Sequence, residues 1–284
     1  MKAYLFVGFT VVIWATAFVF NKYGLEELAP IELAFYRYFM ASLMLIPFAI
    51  KRKIKIPTKK SLWLSLIGCG FFGIALYNVL LYNGQLLVPV GTASLLVNIA
   101  PLFTAILSVI FLKEKLSAIG WAGLFVSFVG VVFIVSGKNS SLDFDSGSLY
   151  VLGAAITFSI YHIVQKPVLA HFSGLDVIIY SIWVSAIILL PGAFGLIDKW
   201  ESISYKTHFS ALYLAVFPGA LGYISWAEAN KLMPASKASS FLFLTPVFAF
   251  IFSYFALGEV PTLVTIAGGA LALFGVYMVI RFGK

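Results

Sequence analysis

Long apolar segments, separated by short polar stretches, follow one another along the whole chain. Ten of them are long enough to be membrane-spanning helices, which need about 20 apolar residues each. The apolar runs are continuous and do not alternate with polar residues, which favours helices over the strands of a membrane barrel. We predict the ten helices at residues 3–21, 31–50, 62–83, 91–112, 117–136, 148–166, 175–196, 209–229, 236–257 and 262–281.

The second half of the chain repeats the pattern of the first. Glu32 aligns with Asp176 at an offset of 144 residues, and Pro101 aligns with Pro246 at an offset of 145. Each unit holds five helices, and an odd number of crossings makes the second unit start on the opposite side of the membrane. We therefore predict an all-α integral membrane protein made of two inverted five-helix repeats. The predicted units are residues 1–137 and 148–284, with a linker at 138–147.

The composition agrees with this architecture and leaves little room for another domain. Hydrophobic residues make up 62% of the chain and charged residues 11%, whereas soluble domains carry about 25% charged residues. The mean hydropathy is +1.02. Ten helices occupy about 200 positions, so only short connections remain. We expect no separate catalytic or ligand-binding domain.

The formal net charge of +8 suggests a nucleic-acid partner, but the placement of the charges excludes one. With the N-terminus in the cytoplasm, fourteen Lys and Arg residues lie on the inner side, four lie outside and one lies within a helix. This bias is the positive-inside pattern of membrane proteins. We predict a multi-pass protein of the plasma (inner) membrane, with both termini cytoplasmic and the linker on the outer side.

The sequence lacks the residue groupings that enzymes and metal proteins use. Cys69 is the single cysteine, and the three histidines are scattered without ligand spacing. No phosphate-binding loop, dinucleotide motif or nucleophile elbow is found. A membrane-embedded enzyme would need converging acids, bases or metal ligands at membrane depth. We predict no catalytic residue, no cofactor and no metal site.

One charged side chain lies deep within an apolar segment. Arg37 lies about two turns past Pro30, which is roughly 10 Å along the helix. A charge in lipid costs at least about 2.5 kcal/mol and usually faces the interior of the bundle or a cavity. Arg37 is the leading candidate for binding a carboxylate, or alternatively for ordering the external gate. The alternatives are an arginine that reaches the membrane surface or one that pairs with Glu32. Its repeat counterpart is Ser181, and a ligand explains this asymmetry better than packing does.

Further polar and aromatic side chains lie on helix faces that recur in both units. The candidate cavity residues beside Arg37 are Trp14, Tyr36, Asn78, Tyr82, Asn98, His162, Trp226 and Glu228. The aromatic members would form walls, and Asn98 and His162 would supply hydrogen bonds. Two alternatives stay open: Asn98 could serve a bond between helices, and Glu228 could pair with Lys231 instead of binding a proton or a cation.

Repeated small residues and prolines predict how the helices pack. Pro101 and Pro246 lie at equivalent places and predict a pair of kinked helices at the centre. The fifth and tenth helices carry small residues that let backbones touch, at Gly123, Gly130, Gly268 and Gly275. This packing fits a monomer or a homodimer equally well.

On these residues the chain resembles the EamA group of the drug/metabolite transporter superfamily. The resemblance rests on Trp14, Phe18 and Lys22, on Tyr36-Arg37-Tyr38, and on two prolines that each precede a glutamate by thirteen residues, Pro101 to Glu114 and Pro246 to Glu259. It implies a ten-helix transporter with a central cavity between its inverted units. The recurrent arginine of the family corresponds to Arg37. Its recurrent glutamates correspond to Glu114 and Glu259, which we interpret as structural.

We therefore expect a secondary transporter that exports amino acids or related small metabolites by alternating access. Its partners would be a small-molecule substrate and the lipid bilayer. Proton coupling through His162 or Glu228 and facilitated diffusion both stay open. The alternative function is a proton-coupled exporter of drugs or lipophilic cations. Such an exporter would depend on Glu228 and tolerate the loss of Arg37, and an amino-acid exporter would show the reverse.

Overall fold

The computed structural model describes residues 1–54, 56–87, 93, 96–136, 146–257 and 263–283, and no strand occurs among them. The helices follow the order of the ten predicted segments, and we number them α1 to α10. Their bounds are α1 Lys2–Leu25, α2 Pro30–Arg52, α3 Lys60–Leu87, α4 Ala100–Phe111, α5 Ala118–Ser136, α6 Ser146–Leu169, α7 Gly174–Ile188 continued by Pro191–Lys199, α8 Tyr205–Leu232, α9 235–257 and α10 Leu263–Phe282.

The helices have the length and surface of membrane spans. In the described part of the chain, five helices are each long and apolar enough to cross a bilayer, and α7 adds a sixth if its two pieces form one span. Shorter apolar helices lie in α4, α5 and α10. Large apolar side chains point outward, for example Phe48 at 55% and Phe194 at 75% exposure. Lipid is the solvent that such a surface requires, and the protein is a multi-pass membrane protein.

Equivalent helices of the two units are irregular at equivalent places. A π-helical stretch interrupts α3 at Phe71–Leu76 and α8 at Ala215–Gly222. Such wide turns are rare, and they are frequent at functional sites because they release backbone carbonyls from the regular ladder. Neither stretch was predicted, since both have the composition of ordinary apolar sequence.

The central prolines lie where the regular α-helical stretches of α4 and α9 begin. The α-helix of α4 starts at Ala100 after a turn, and that of α9 continues from Thr245 after a short 3₁₀ stretch. Pro101 and Pro246 are thus the second residues of these stretches, where a missing N–H leaves no bond unmade. The sequence predicted a pair of kinked helices at these prolines, and the structure interrupts the regular helix just before each of them, by a turn in α4 and by a 3₁₀ stretch in α9.

The seventh segment is bent, which corrects the prediction of one continuous helix at 175–196. Its two pieces meet at an angle of 72° just before Pro191. The equivalent Pro47 lies inside an unbroken α2. The second piece of α7 packs closely on α2, since a Cβ added at Gly192 would lie 2.4 Å from the carbonyl oxygen of Ile31.

The glycines of α5 and α10 face each other within the same chain. A Cβ added at Gly130 would lie 2.4 Å from the backbone nitrogen of Ala272 and 2.7 Å from the carbonyl oxygen of Gly268. A Cβ at Gly123 would lie 2.9 Å from the carbonyl oxygen of Gly275. Only hydrogen fits at these positions, so the two helix backbones lie in contact.

Two ends of the bundle can be distinguished by the connections they carry. The α1–α2 end holds the α1–α2 and α7–α8 connections, where Lys199 pairs with Glu32 at 2.7 Å. Beside this pair, the backbone N–H of Ser204 donates to Glu27 Oε2 at 2.9 Å. This hydrogen bond, supported by the nearby Thr207, lowers the pKa of Glu27 below its ordinary value of 4.5. The two connections are therefore tied together by acidic side chains.

The opposite end, which we call the α6–α7 end, is held by carboxylates that cap helices. Glu114 accepts hydrogen bonds from the backbone N–H groups of Ala235 (2.8 Å) and Ser236 (3.2 Å) and from the Ser236 hydroxyl (2.8 Å). Glu228 accepts one from the backbone N–H of Gly174 at 2.6 Å. Each carboxylate thus lies at the positive N-terminus of a helix from a different part of the chain. Glu259, the counterpart of Glu114, lies outside the described residues.

Candidate functional site

A central cavity lies between the two units. It is lined by α1, α2, α3 and the residues before α4 in the first unit, and by α6, α8 and α9 in the second. The lining residues are Trp14, Ala17, Phe18, Asn21, Arg37, Tyr77, Asn78, Leu81, Val97, Asn98, Phe158, Tyr223, Leu242 and Thr245. A cavity shared by inverted repeats is where secondary transporters bind their substrates.

The cavity extends from the middle of the bundle towards the α1–α2 end. Trp14 and Phe158 lie at the midpoints of the 24-residue helices α1 and α6. Asn21 lies seven residues beyond Trp14, which is roughly 10 Å closer to the α1–α2 end. Most of the lining residues, such as Asn21, Arg37 and Leu81, therefore lie between the midplane and the α1–α2 end.

Arg37 is held inside the cavity by neutral hydrogen-bond acceptors. Its Nη1 donates to the Tyr82 hydroxyl at 2.7 Å and to Asn78 Oδ1 at 3.3 Å. Asn78 is fixed in turn, because its Nδ2 donates to the Tyr38 hydroxyl at 2.9 Å and to the carbonyl of Ile74 at 2.8 Å. The guanidinium carbon lies 4.9 Å from the centre of the Tyr38 ring. We call Arg37, Tyr38, Asn78 and Tyr82 the arginine cluster.

No described carboxylate neutralises Arg37, although only 4% of the residue is exposed. Glu32, the alternative partner, pairs with Lys199. Arg37 Nε is buried without any hydrogen-bond partner, and a Cβ added at Gly219 would lie 3.4 Å from it. A buried cation costs free energy unless it is paired. The guanidinium on the cavity wall therefore carries a charge that no described carboxylate neutralises, and its Nε–H group is unsatisfied.

Aromatic rings close the cavity at the midplane. Trp14 contacts Phe158 and Trp226 with ring centroids 5.5 and 5.4 Å apart. His162 lies 4.5 Å from Phe158 and 4.8 Å from Trp226. We call these four residues the aromatic floor. The rings of Trp226 and His162 are fully buried behind the other two, so the floor separates the cavity from the α6–α7 end.

The two π-helical stretches meet the cavity through equivalent carbonyl groups. Trp14 Nε1 donates to the carbonyl of Pro218 at 3.1 Å. The Tyr223 hydroxyl donates to the carbonyl of Gly73 at 2.8 Å. Gly73 and Pro218 are repeat partners at the offset of 145. Each unit therefore receives a hydrogen bond from a cavity residue of the other unit at the same point of its irregular helix.

The structure places four of the nine predicted cavity residues on the cavity wall: Trp14, Arg37, Asn78 and Asn98. Tyr82 lies directly behind the wall and holds Arg37. His162 and Trp226 belong to the aromatic floor, and Thr104 lies within hydrogen-bond distance of His162 Nδ1, at 3.1 Å.

Two predicted residues lie farther away. The Tyr36 hydroxyl shares a 2.8 Å hydrogen bond with His208 Nδ1 at the α1–α2 end. Glu228 does not line the cavity. It caps α7, and Lys231 donates to the carbonyl of Phe172, not to Glu228. The Glu228 carboxylate accepts a hydrogen bond from the backbone N–H of Gly174. This geometry differs from both predictions for Glu228, a cation or proton site in the cavity and an ion pair with Lys231.

Other wall residues were absent from the predicted set. Tyr77, Tyr223 and Thr245 line the cavity, and a signal for two of them was present in the sequence. Tyr223 is the repeat counterpart of Asn78, and Thr245 directly precedes the repeated Pro246. Tyr77 offers no such contrast, since aromatic residues are common throughout the chain. No group of three His, Cys, Asp or Glu residues that could hold a metal ion occurs in the described part of the chain.

A model of the EamA-like transporter family matches residues 1–136 and, a second time, residues 145–281. The chain belongs to the EamA-like transporter family. This confirms the family expected from the sequence and, with the helical structure, the fold of ten membrane helices in two inverted five-helix repeats. A solved crystal structure shares the fold with a TM-score of 0.82, covering 100% of this chain and 97% of that one at 16% identity.

Several relatives carry the names of transporters. A probable terminal-alkyne amino-acid exporter of Streptantibioticus cattleyicolor is 33% identical, over 99% of this chain and 94% of the relative. An uncharacterised transporter of Bacillus subtilis is 34% identical, over 93% and 86%. An S-adenosylmethionine uptake transporter of Rickettsia bellii is 29% identical, over 90% and 85%. The chain is thus a transporter of the EamA type, and a small molecule is its substrate.

Proposed function

We propose that this protein exports amino acids or related small metabolites by alternating access, with Arg37 binding the substrate carboxylate. The observation that carries the proposal is the buried, unneutralised guanidinium of Arg37 on the wall of the central cavity. Tyr82 and Asn78 occupy only Nη1, and Nε has no partner. A carboxylate would accept hydrogen bonds from the planar fork of donors that Arg presents.

The remaining wall suits a zwitterion of modest size. The rings of Trp14, Tyr77, Phe158 and Tyr223 can pack against an apolar side chain and present faces that attract an ammonium group. The wall also includes the amide of Asn98. No Asp or Glu is among the lining residues, so this wall offers a lipophilic cation no carboxylate partner.

The names of the relatives support the same substrate chemistry. One relative is named for amino-acid export and another for uptake of S-adenosylmethionine. S-adenosylmethionine carries the same α-amino carboxylate as a free amino acid. The two names differ in direction, and we assign export on the more similar of the two relatives.

The proposal includes the placement of the chain in the membrane. The positive-inside bias supports a plasma-membrane protein with both termini and the α6–α7 end in the cytoplasm. The α1–α2 end then faces outward, and the cavity extends towards the outside. The two units would be residues 1–137 and 148–284, joined by an outer linker at 138–147.

The proposal is tested with purified protein in sealed liposomes loaded with a mixture of amino acids or with a panel of lipophilic cations. We expect saturable release of amino acids, lost in Arg37→Ala and partly kept in Arg37→Lys, because lysine keeps the charge without the fork. Lys206→Ala, which removes an exposed ion pair with Glu26 and a contact with the Tyr23 ring, should release at the normal rate.

Two results would overturn the proposal. One is normal amino-acid release by Arg37→Ala at equal amounts of reconstituted protein. The other is release of the cations alone. Repeating the assay with and without a pH gradient, and with His162→Gln and Glu228→Gln, measures proton coupling separately from substrate choice.

A further inference from the structure

Three polar residues at the outer ends of α1 and α3 have repeat partners at the inner ends of α6 and α8. Helices α1 and α3 belong to the first unit, and α6 and α8 are their equivalents in the second. Because the units are inverted, equivalent residues lie on opposite sides of the membrane. The aligned pairs are Asn21 with Gln165, Lys22 with Lys166 and Gln85 with Asn230. The amide and lysine chemistry is the same in both sets.

In the second unit these residues hold the bundle closed. Asn230 Nδ2 donates to Gln165 Oε1 at 3.0 Å, and Gln165 donates to the Tyr161 hydroxyl. The Lys166 ammonium group donates to the backbone carbonyls of Asn230 and Met233, at the C-terminus of α8. We call Gln165, Lys166 and Asn230 the inner lock, because they tie α6 to α8 beneath the aromatic floor.

In the first unit the equivalent residues Asn21, Lys22 and Gln85 make no hydrogen bonds with one another. Asn21 Oδ1 and both polar atoms of the Gln85 side chain are buried without a hydrogen-bond partner. Lys22 is exposed, and no described residue accepts a hydrogen bond from it. Asn21 lies on the cavity wall. Buried amide groups without partners cost free energy, so their retention here calls for a second state in which they are satisfied.

We infer that Asn21, Lys22 and Gln85 form the outer lock of the transporter. In the inward-facing state the outer ends of α1 and α3 come together. The side chains of Asn21 and Gln85 then share a hydrogen bond, and Lys22 donates to the backbone carbonyl of Gln85. The inner lock separates in the same step, which opens the cavity beyond the aromatic floor to the cytoplasm. This inference rests on the proposed transport function for its two states.

The exchange of one lock for the other explains how the two states can have similar free energies. Each state pairs one set of two amides and a lysine and leaves the equivalent set unpaired; within the paired inner set, Asn230 Oδ1 alone keeps no partner. A transporter needs such a balance, because a state favoured by several kcal/mol would be populated almost exclusively. The arginine cluster has no repeat counterpart, since Ser181 takes the place of Arg37. The arginine cluster therefore belongs to neither lock, and it makes the first unit differ from the second in how it can bind substrate.

The inference is tested by chemical cross-linking, which needs no substrate. In a Cys69→Ala background, one variant carries Asn21→Cys with Gln85→Cys, and a second carries Gln165→Cys with Asn230→Cys. A short bifunctional thiol reagent should link each pair. In a variant that carries all four cysteines, linking one pair should block linking of the other. Absence of a 21–85 link in protein that forms the 165–230 link would overturn the inference, and so would both links in one molecule.

The two lysines give a matched pair of variants with opposite expected signs. In the 21–85 cysteine background, Lys166→Gln should raise the linking rate about threefold, and Lys22→Gln should lower it about threefold, as expected from interhelical hydrogen bonds in membranes. A general loss of packing would move both rates in one direction, which would contradict the inference. Failure of amino-acid transport would refute the proposed substrate and leave these cross-linking results unaffected.

Discussion

Substituting Glu114, which caps the start of α9, tests most sharply how the helix ends are held. Its carboxylate reaches from the α4–α5 connection to the start of α9 and accepts three hydrogen bonds, from the N–H groups of Ala235 and Ser236 and from the Ser236 hydroxyl. Glu114→Gln keeps the shape of the side chain. It removes the negative charge and replaces one acceptor oxygen by an amide group that faces donors.

The size of the effect follows from the lost interactions. A hydrogen bond to a charged group contributes about 1.5–3 kcal/mol, and a charge at a helix N-terminus adds about 0.3–1 kcal/mol. Because glutamine still offers one good acceptor and the site is partly exposed, we expect a loss of about 1–3 kcal/mol. For a chain of this size, that corresponds to a fall of roughly 2–5 °C in the unfolding midpoint.

Cys69 supplies the probe for this measurement. It is the single cysteine of the chain and is fully buried, so a fluorogenic thiol reagent reports its exposure as the protein unfolds. Midpoints at one heating rate are compared for the wild type, Glu114→Gln and Glu201→Gln, the last being an exposed glutamate at the α7–α8 connection. Equal midpoints for all three proteins would refute the capping role of Glu114.

Two further predictions concern packing and pH. Gly130→Ala should lower the same unfolding midpoint strongly, because the added Cβ would lie 2.4 Å from the backbone nitrogen of Ala272. The control Gly8→Ala, which has nothing within 4 Å of its Cβ, should leave the midpoint equal or higher. Equal effects of the two substitutions would contradict the close contact of α5 and α10. The lowered pKa of Glu27 means that its bond to Ser204 is present at neutral pH and weakens as pH falls through that pKa, below 4.5. Hydrogen exchange at the Ser204 amide, corrected for its intrinsic pH dependence, should accelerate there in the wild type and show no such step in Glu27→Gln.

The architecture could be predicted from the sequence because lipid imposes a simple pattern. Continuous apolar segments of about 20 residues mark spans, and the repeated prolines and glycines mark equivalent helices. Arg37 could be selected because a charge stands out against an apolar segment, and the structure places it on the cavity wall. The aromatic wall residue Tyr77 could not be selected, since one ring among many gives no contrast.

Irregular backbone and distant partners escaped prediction for physical reasons. The π-helical stretches of α3 and α8 differ from plain helix only in hydrogen-bond register, which apolar sequence does not encode visibly. The bend before Pro191 and the unbroken helix at Pro47 show that the same residue has two outcomes in equivalent places. Glu228 was misplaced because its donor is a backbone N–H at Gly174, and a backbone group leaves no trace in side-chain patterns.

The most direct test of the account asks whether Arg37 recognises a carboxylate. The amino acid released fastest by the wild type, its amide, and the amine that lacks the carboxyl group are compared as competitors of transport. In the wild type, loss of the carboxylate should weaken competition about 10- to 100-fold, the range expected for charge-assisted hydrogen bonds. In Arg37→Gln the three compounds should compete almost equally. A preference for the carboxylate that is as strong in Arg37→Gln as in the wild type would contradict the account.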